Sequence, residues 1–265
     1  MASLRSRLLR RSTSPGQGRR DVERYGPGSR QYGEWWAPVE SFAGRRPLVV
    51  LIHGGYWRKD YDLHLEDAVA ADLAGRGYLV WNIDYAPSSD PWPATLIDVA
   101  AAYDAAFTGL RSSRIDRGRV AVVGHSAGGH LALWLASRSR LPIGAPGASR
   151  HLRPTLAVAQ SPVASLASAA DLGLGSGAVV ALLGGSPAQL PARCAVADPV
   201  ALAPSGVRTV LVHGPGDAIV PLSQSTDYLA VARDCTLEQV PGDHFVHLDP
   251  TSDACRVMRN ALSTL

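Results

Sequence analysis

Four stretches of this 265-residue chain combine residue types that can attack and break an acyl bond. Gly124-His125-Ser126-Ala127-Gly128 follows the apolar run Val120–Val123 and leads into a helix-patterned segment. A serine between glycines on a tight strand-to-helix turn stands clear of the sheet, and the following amide opens a helix, where positive potential favours an oxyanion. Ser126 is therefore the candidate nucleophile, and the Ala127 amide a candidate oxyanion donor. The competing reading is a Gly-rich turn that serves helix packing alone.

His53-Gly54-Gly55-Tyr56-Trp57 directly follows the run Leu48–Ile52. Side chains at Gly54 and Gly55 would block a carbonyl oxygen from their amides, so both are expected to join Ala127 in an oxyanion hole. His53 reads as a brace for this loop. Tyr56 and Trp57 either line a substrate pocket or simply pack.

A nucleophilic serine needs an imidazole base and a carboxylate to orient it; on this kind of sheet the carboxylate comes next in the chain and the histidine last. His213-Gly214-Pro215-Gly216-Asp217 follows the run Thr209–Val212, which places Asp217 at a strand end. Pro241-Gly242-Asp243-His244-Phe245 follows Thr236–Val240 and offers His244. Asp243, Asp249 and His247 are the weaker alternatives. No H-E-x-x-H or C-x-x-C pattern is present, so no metal site is expected.

The elements that must position these residues follow from apolar periodicity. Six buried parallel strands are predicted at Leu48–Ile52, Tyr78–Ile83, Val120–Val123, Thr155–Ala159, Thr209–Val212 and Thr236–Val240. Helices are predicted at Leu63–Leu73, Thr95–Leu110, Gly128–Ser137, Leu222–Ala232 and Ser252–Leu262, with short leading strands at Asp21–Tyr25 and Gln31–Trp36. Strands alternating with helices give an α/β fold with a mostly parallel sheet. Residues 162–206, rich in Ala, Gly, Ser and Pro, read as a small cap inserted in one domain spanning 21–265.

Charge and composition limit the function classes. Residues 1–30 hold eight arginines against Asp21 and Glu23, a net +6, so the remaining chain sums to −3 of the total +3. A body of that sign is not a nucleic-acid surface. Residues 1–20 read as a disordered Arg-rich tail, with a transit peptide as the alternative. No apolar run approaches the ~20 residues that span a bilayer. Three scattered cysteines (Cys194, Cys235, Cys255) suit a reducing, cytoplasmic setting.

At these motifs the chain resembles the α/β-hydrolases, and within them the arylformamidases (kynurenine formamidases) and the esterases with a His-Gly-Gly loop. The resemblance rests on His53 to Arg58, Gly124 to Ala132, Asp217 with Val220-Pro221, and Gly242-Asp243-His244-Phe245 with Asp249-Pro250. Tyr25-Gly26-Pro27-Gly28 and Leu183-Gly184-Gly185-Ser186-Pro187 add to it, so that it spans roughly residues 21–262. It implies the α/β-hydrolase fold, a triad of Ser126, Asp217 and His244, and oxyanion amides from Gly54, Gly55 and Ala127. Residues 162–206, poor in aromatic side chains, depart most from the pattern.

The expected reaction is hydrolysis of a small ester or an N-formyl aryl amide, without metal or organic cofactor. A general carboxylesterase is the alternative, and a non-catalytic binding protein on the same scaffold the remote one. The sequence does not speak to oligomeric state.

Overall fold

The structure, a computed structural model, describes residues 19–38, 44–109, 111–148 and 152–265. The expected tail therefore lies outside the described residues, apart from its last two positions. Those two open β1 (Arg19–Arg24).

Eight strands form one sheet in the order β1-β2-β4-β3-β5-β6-β7-β8. They are β1, β2 (Tyr32–Ala37), β3 (Arg46–Ile52), β4 (Leu79–Ile83), β5 (Ile115–His125), β6 (Leu156–Gln160), β7 (Arg208–His213) and β8 (Cys235–Gln239). Only the β1/β2 and β2/β4 pairings are antiparallel; β4 through β8 run parallel. This is the α/β-hydrolase fold.

The near-continuous apolar runs reflect burial on both faces. Leu48, Val50 and Ile52 of β3 join one core layer with Val122, and this layer is closed by α2 (Ala94–Ala105) and α3 (Ala127–Ser137) through Leu96, Val99, Leu131 and Trp134. The intervening Val49 and Leu51 point the other way, to a layer closed by α1 (Asp67–Gly75) and the C-terminal helix Asp253–Leu262 through Val69, Leu73, Met258 and Leu262. Each fully buried Val, Leu or Ile stabilises the fold by about 1.5–3 kcal/mol, so β3 and β5 are the rigid centre of the sheet.

Two expectations need correction. The run Thr236–Val240 forms β8 but is an edge strand, half-exposed and carrying Glu238, a charge of the kind that discourages edge-to-edge pairing. The helix expected at Thr95–Leu110 ends at Ala105, and the chain turns through Phe107 and Gly109; Leu110 lies outside the described residues.

Between β6 and β7 lie four short helices, α4 (Leu166–Asp171), α5 (Ala178–Leu183), α6 (Pro191–Ala197) and α7 (Pro199–Leu202). Local chemistry sets their ends. Ser165 caps α4 through the Ser168 amide and Asp198 caps α7 through the Val200 amide. Pro191 and Pro199 stand at first-turn positions, where the missing N–H costs nothing. Helices of four to seven residues are too short to show a clear period, which is why the sequence here reads as weakly patterned. The remaining helices are α8 (Ser223–Val231) and α9 (Asp253–Leu262).

Candidate active site

The motif residues gather at the carboxyl ends of β3, β5, β7 and β8. β5 runs straight into α3 through Ser126, whose backbone takes φ 59° and ψ −118°. A non-glycine residue there is strained by about 1–3 kcal/mol, and the surroundings hold it in place. The Ser126 amide donates to the Gln160 carbonyl at 2.8 Å, and the Ser126 carbonyl accepts from His130 N at 3.1 Å. The flanking glycines are required by contact: a Cβ on Gly124 would lie 2.1 Å from the Gly128 carbonyl oxygen, and one on Gly128 2.0 Å from the Ile52 oxygen. The elbow is thus pressed against the end of β3.

The loop after β3 lies against that elbow. A Cβ on Gly54 would sit 2.8 Å from the His125 carbonyl oxygen and 3.0 Å from the Ser126 Cβ. Gly55 has φ +108° with the Tyr61 ring packed beside it, so glycine is needed on two counts. Among the described residues, no backbone carbonyl accepts from the Gly54 or Gly55 amide. Ala127 is the first residue of α3, so its N–H has no preceding turn to bond. His53 braces the loop: it contacts Asp84 Oδ1 through Nε2 at 3.2 Å and stacks on Tyr85 at 4.3 Å. Asp84 in turn accepts from Arg30 at 2.7 Å.

Tyr56 and Trp57 both have positive φ, and they part company. Trp57 has no exposed surface and packs edge-on against His130 at 5.1 Å, which is the packing alternative. Tyr56 is half-buried, and its hydroxyl donates to the Ile219 carbonyl at 3.1 Å, beside the Asp217 loop.

On the other side of the site, His244 Nδ1 and Asp217 Oδ2 are 2.7 Å apart, with both side chains buried. Asp217 Oδ1 accepts from the Ile219 and Val220 amides, each at 2.9 Å. Burial acts to raise the Asp217 pKa. Hydrogen bonds from His213 and His244, the interaction with the His244 charge and the Val220 amide outweigh it and hold the carboxyl well below the ordinary range. The carboxylate is therefore ionised at any working pH. The alternatives point elsewhere. Asp243 and Asp249 accept from amides in their own turns, Phe245 N and Thr251 N. His247 bonds Ser161 Oγ at 2.9 Å, and burial, with the neighbouring His244 and His213, lowers its pKa to about 3.

Ser126 and His244 meet through their neighbours. His125, the residue before the serine, donates from Nε2 to the His244 carbonyl at 2.8 Å, and the two rings lie 4.6 Å apart. Among the described residues no hydrogen bond joins the Ser126 hydroxyl to His244. Catalytic contacts of this kind are commonly long until substrate binds.

Two contributors carried no role in the sequence reading. His213 stands 3.4 Å from Asp217 Oδ2, between the Val220 carbonyl and Ser225 Oγ. Asp84 anchors the glycine loop through His53. A histidine directly before the Gly-x-Gly-Asp turn was the available signal for the first; nothing local marks the second. Among the described residues, the cluster with metal-like spacing is Glu34, His64 and Asp67. It surrounds the Arg20 guanidinium, which donates to Glu34 at 2.5 Å and lies 3.5 Å from Asp67.

With this geometry in place, the chain can be set beside known proteins. The BD-FAE family model matches residues 38–230, nearly three quarters of the chain. The chain belongs to the BD-FAE family. That match includes the glycine loop, Ser126 and Asp217, and ends before His244. Among curated relatives of this BD-FAE protein, esterase LipI of Mycobacterium tuberculosis is 32% identical over 108 residues, 40% of this chain and 33% of LipI. Carboxylesterase NlhH of the same species is 34% identical over 116 residues, 42% of this chain and 34% of NlhH. The matched stretches thus span about a third of those relatives. Among solved structures, a truncated carbohydrate esterase from gut microbiota superposes with a TM-score of 0.80 at 18% identity, covering 96% of this chain and 99% of its own. Esterase B from Lactobacillus rhamnosis also gives 0.80, at 20% identity, with 98% and 88% covered. At such identities the likeness is one of fold.

Proposed function

We propose that this BD-FAE protein is a serine esterase that cleaves small acyl esters through Ser126, His244 and Asp217. The observation that carries the reading is the 2.7 Å contact between His244 and a buried, amide-braced Asp217, held beside the strained Ser126 elbow. The names of the curated relatives, esterases and carboxylesterases, support it.

In the proposed cycle His244 Nε2 takes the Ser126 proton as Oγ attacks the ester carbonyl. Asp217 fixes the imidazole tautomer, with the proton on Nδ1, and stabilises the imidazolium that forms. The carbonyl oxygen, now negative, accepts from the Gly54, Gly55 and Ala127 amides, each such donor contributing about 10²–10³ in rate. His244 then protonates the leaving alcohol, and water, activated by the same imidazole, releases the acid from Ser126. No step requires a metal or organic cofactor. Tyr56 borders the substrate side of the site, since its hydroxyl reaches the Asp217 loop. A reducing compartment such as the cytoplasm suits the three free cysteines.

A second reading is hydrolysis of an N-formyl aryl amide, favoured by the string His53-Gly54-Gly55-Tyr56-Trp57. An aryl amine leaves more readily than an alkyl amine, so one site can serve both substrates. A panel of short p-nitrophenyl esters and N-formylkynurenine, run on wild type and Ser126→Ala, tests both. Ester turnover that falls by about 10⁶ in the variant is expected. Turnover of neither substrate class overturns the esterase reading, and formamide turnover well above ester turnover puts the second reading first.

A further inference from the structure

His125 occupies the variable position of the serine motif, yet it lies against both His244 and the glycine loop. It is the last residue of β5 and is 3% exposed. Its Nε2–H donates to the His244 carbonyl at 2.8 Å, across 119 residues of sequence. Its ring lies 4.6 Å from the His244 ring and 5.4 Å from that of His247. Its Nδ1 faces Gly54, 3.3 Å from where a Cβ on that glycine would stand, and has no hydrogen-bond partner among the described residues. A nitrogen donating to a carbonyl must carry the proton, so Nδ1 is the bare acceptor of a neutral ring. Burial first, then the neighbouring His244 and His247, hold its pKa well below the ordinary histidine range, so that neutral form persists through the working pH range.

From this geometry we infer that His125 is a positioning residue: its imidazole ties the His244 loop to the serine elbow and sets the distance between base and nucleophile. The need for such a tie follows from how the two sides are held. The elbow is fixed by backbone packing, whereas His244 sits after an edge strand, in a loop tied three residues further on, where the buried His247 bonds Ser161 Oγ and accepts from Cys255 Sγ through its carbonyl. The Asp217 bond sets the tautomer and tilt of the His244 ring. The His125 bond adds a tie to the backbone of His244 itself. The inference rests on Ser126 and His244 being nucleophile and base.

The test compares His125→Gln, whose amide can reach the His244 carbonyl, with His125→Phe and His125→Asn, which cannot donate there. Each is assayed for p-nitrophenyl acetate kcat and KM, for labelling of Ser126 by a fluorophosphonate, and for thermal unfolding. A displacement of about 1 Å at a reacting centre costs on the order of 10²-fold. His125→Phe and His125→Asn are therefore expected to lose about that factor in kcat and in labelling rate, with KM within about twofold. His125→Gln should recover most of the loss. If Phe fails to fold, the Asn and Gln pair carries the comparison. Wild-type kcat in folded His125→Phe or His125→Asn overturns the inference and leaves the triad standing, as does a loss that Gln fails to restore. Absence of Ser126 labelling in the wild type itself overturns the triad reading instead.

Discussion

The two sides of the candidate site are built by different means. The elbow and the glycine loop (Ser126, Gly54) are held by backbone packed on backbone, with Gly54, Gly124 and Gly128 at positions where a Cβ would come within 2.0–2.8 Å of a carbonyl oxygen. The side proposed for acid–base chemistry (Asp217, His244) is held by side-chain hydrogen bonds from loops that follow β7 and the exposed edge strand β8. The first arrangement is stiff and leaves little room for substitution. The second is adjustable and chemically specific, so changes there alter the reaction before they alter the fold. Shape and chemistry are thus assigned to separate parts of the chain.

The largest effect expected from the polar side is on rate. Asp217→Asn keeps the size of the side chain but removes the charge that sets the His244 tautomer. Ester kcat should fall by about 10⁴, while circular dichroism and the melting temperature stay close to wild type. A variant that unfolds would erase the contrast drawn above, because it would make Asp217 a structural residue first.

On the packed side the order reverses. A Cβ at Gly128 would meet the Ile52 oxygen at 2.0 Å and the His53 oxygen at 2.6 Å, both backbone atoms of the central strand and its loop. Gly128→Ala is expected to destabilise the protein by about 4 kcal/mol or more, measured by urea unfolding. A stable Gly128→Ala protein with full activity would show that the elbow can shift, contrary to the stiffness described.

A smaller effect is expected below the site. Glu66 is fully buried, and neither carboxylate oxygen has a hydrogen-bond partner among the described residues. Burial, reinforced by the Asp67 charge, raises its pKa from 4.5 to about 8. Across that window the folded protein keeps a proton that the unfolded chain releases, so stability falls as pH rises toward 8. Glu66→Gln removes the dependence. Its melting temperature should exceed the wild type's by on the order of 5 °C at pH 8 and match it near pH 5. Equal melting temperatures at both pH values would mean that the carboxylate is solvated.

Much of this was legible in the sequence, for physical reasons that differ by residue. Ser126 was readable because an elbow needs glycines at fixed offsets after a strand, and only a few residue types satisfy that. Five of the eight strands, β3 to β7, were readable because their central residues bury both faces and so appear as unbroken apolar runs. β8 was placed correctly but taken as buried: Leu237 and Val240 flank Glu238 and Gln239, which are exposed at the edge. Asp84 escaped notice because its contact with His53, 31 residues away in the chain, leaves no spacing signature, whereas His213, four residues before Asp217, had a local one. Trp57 could not be resolved between pocket and core, since an aromatic residue after a glycine loop fits either until its exposure is known.

The most direct test is covalent labelling of the nucleophile. The protein is treated with a fluorophosphonate, and the adduct is located by peptide mass spectrometry in wild type, Ser126→Ala and His244→Ala. A single adduct on Ser126 is expected, absent in the alanine variant and formed orders of magnitude more slowly without His244. Labelling of wild type at another residue, or undiminished labelling after loss of His244, would contradict the account.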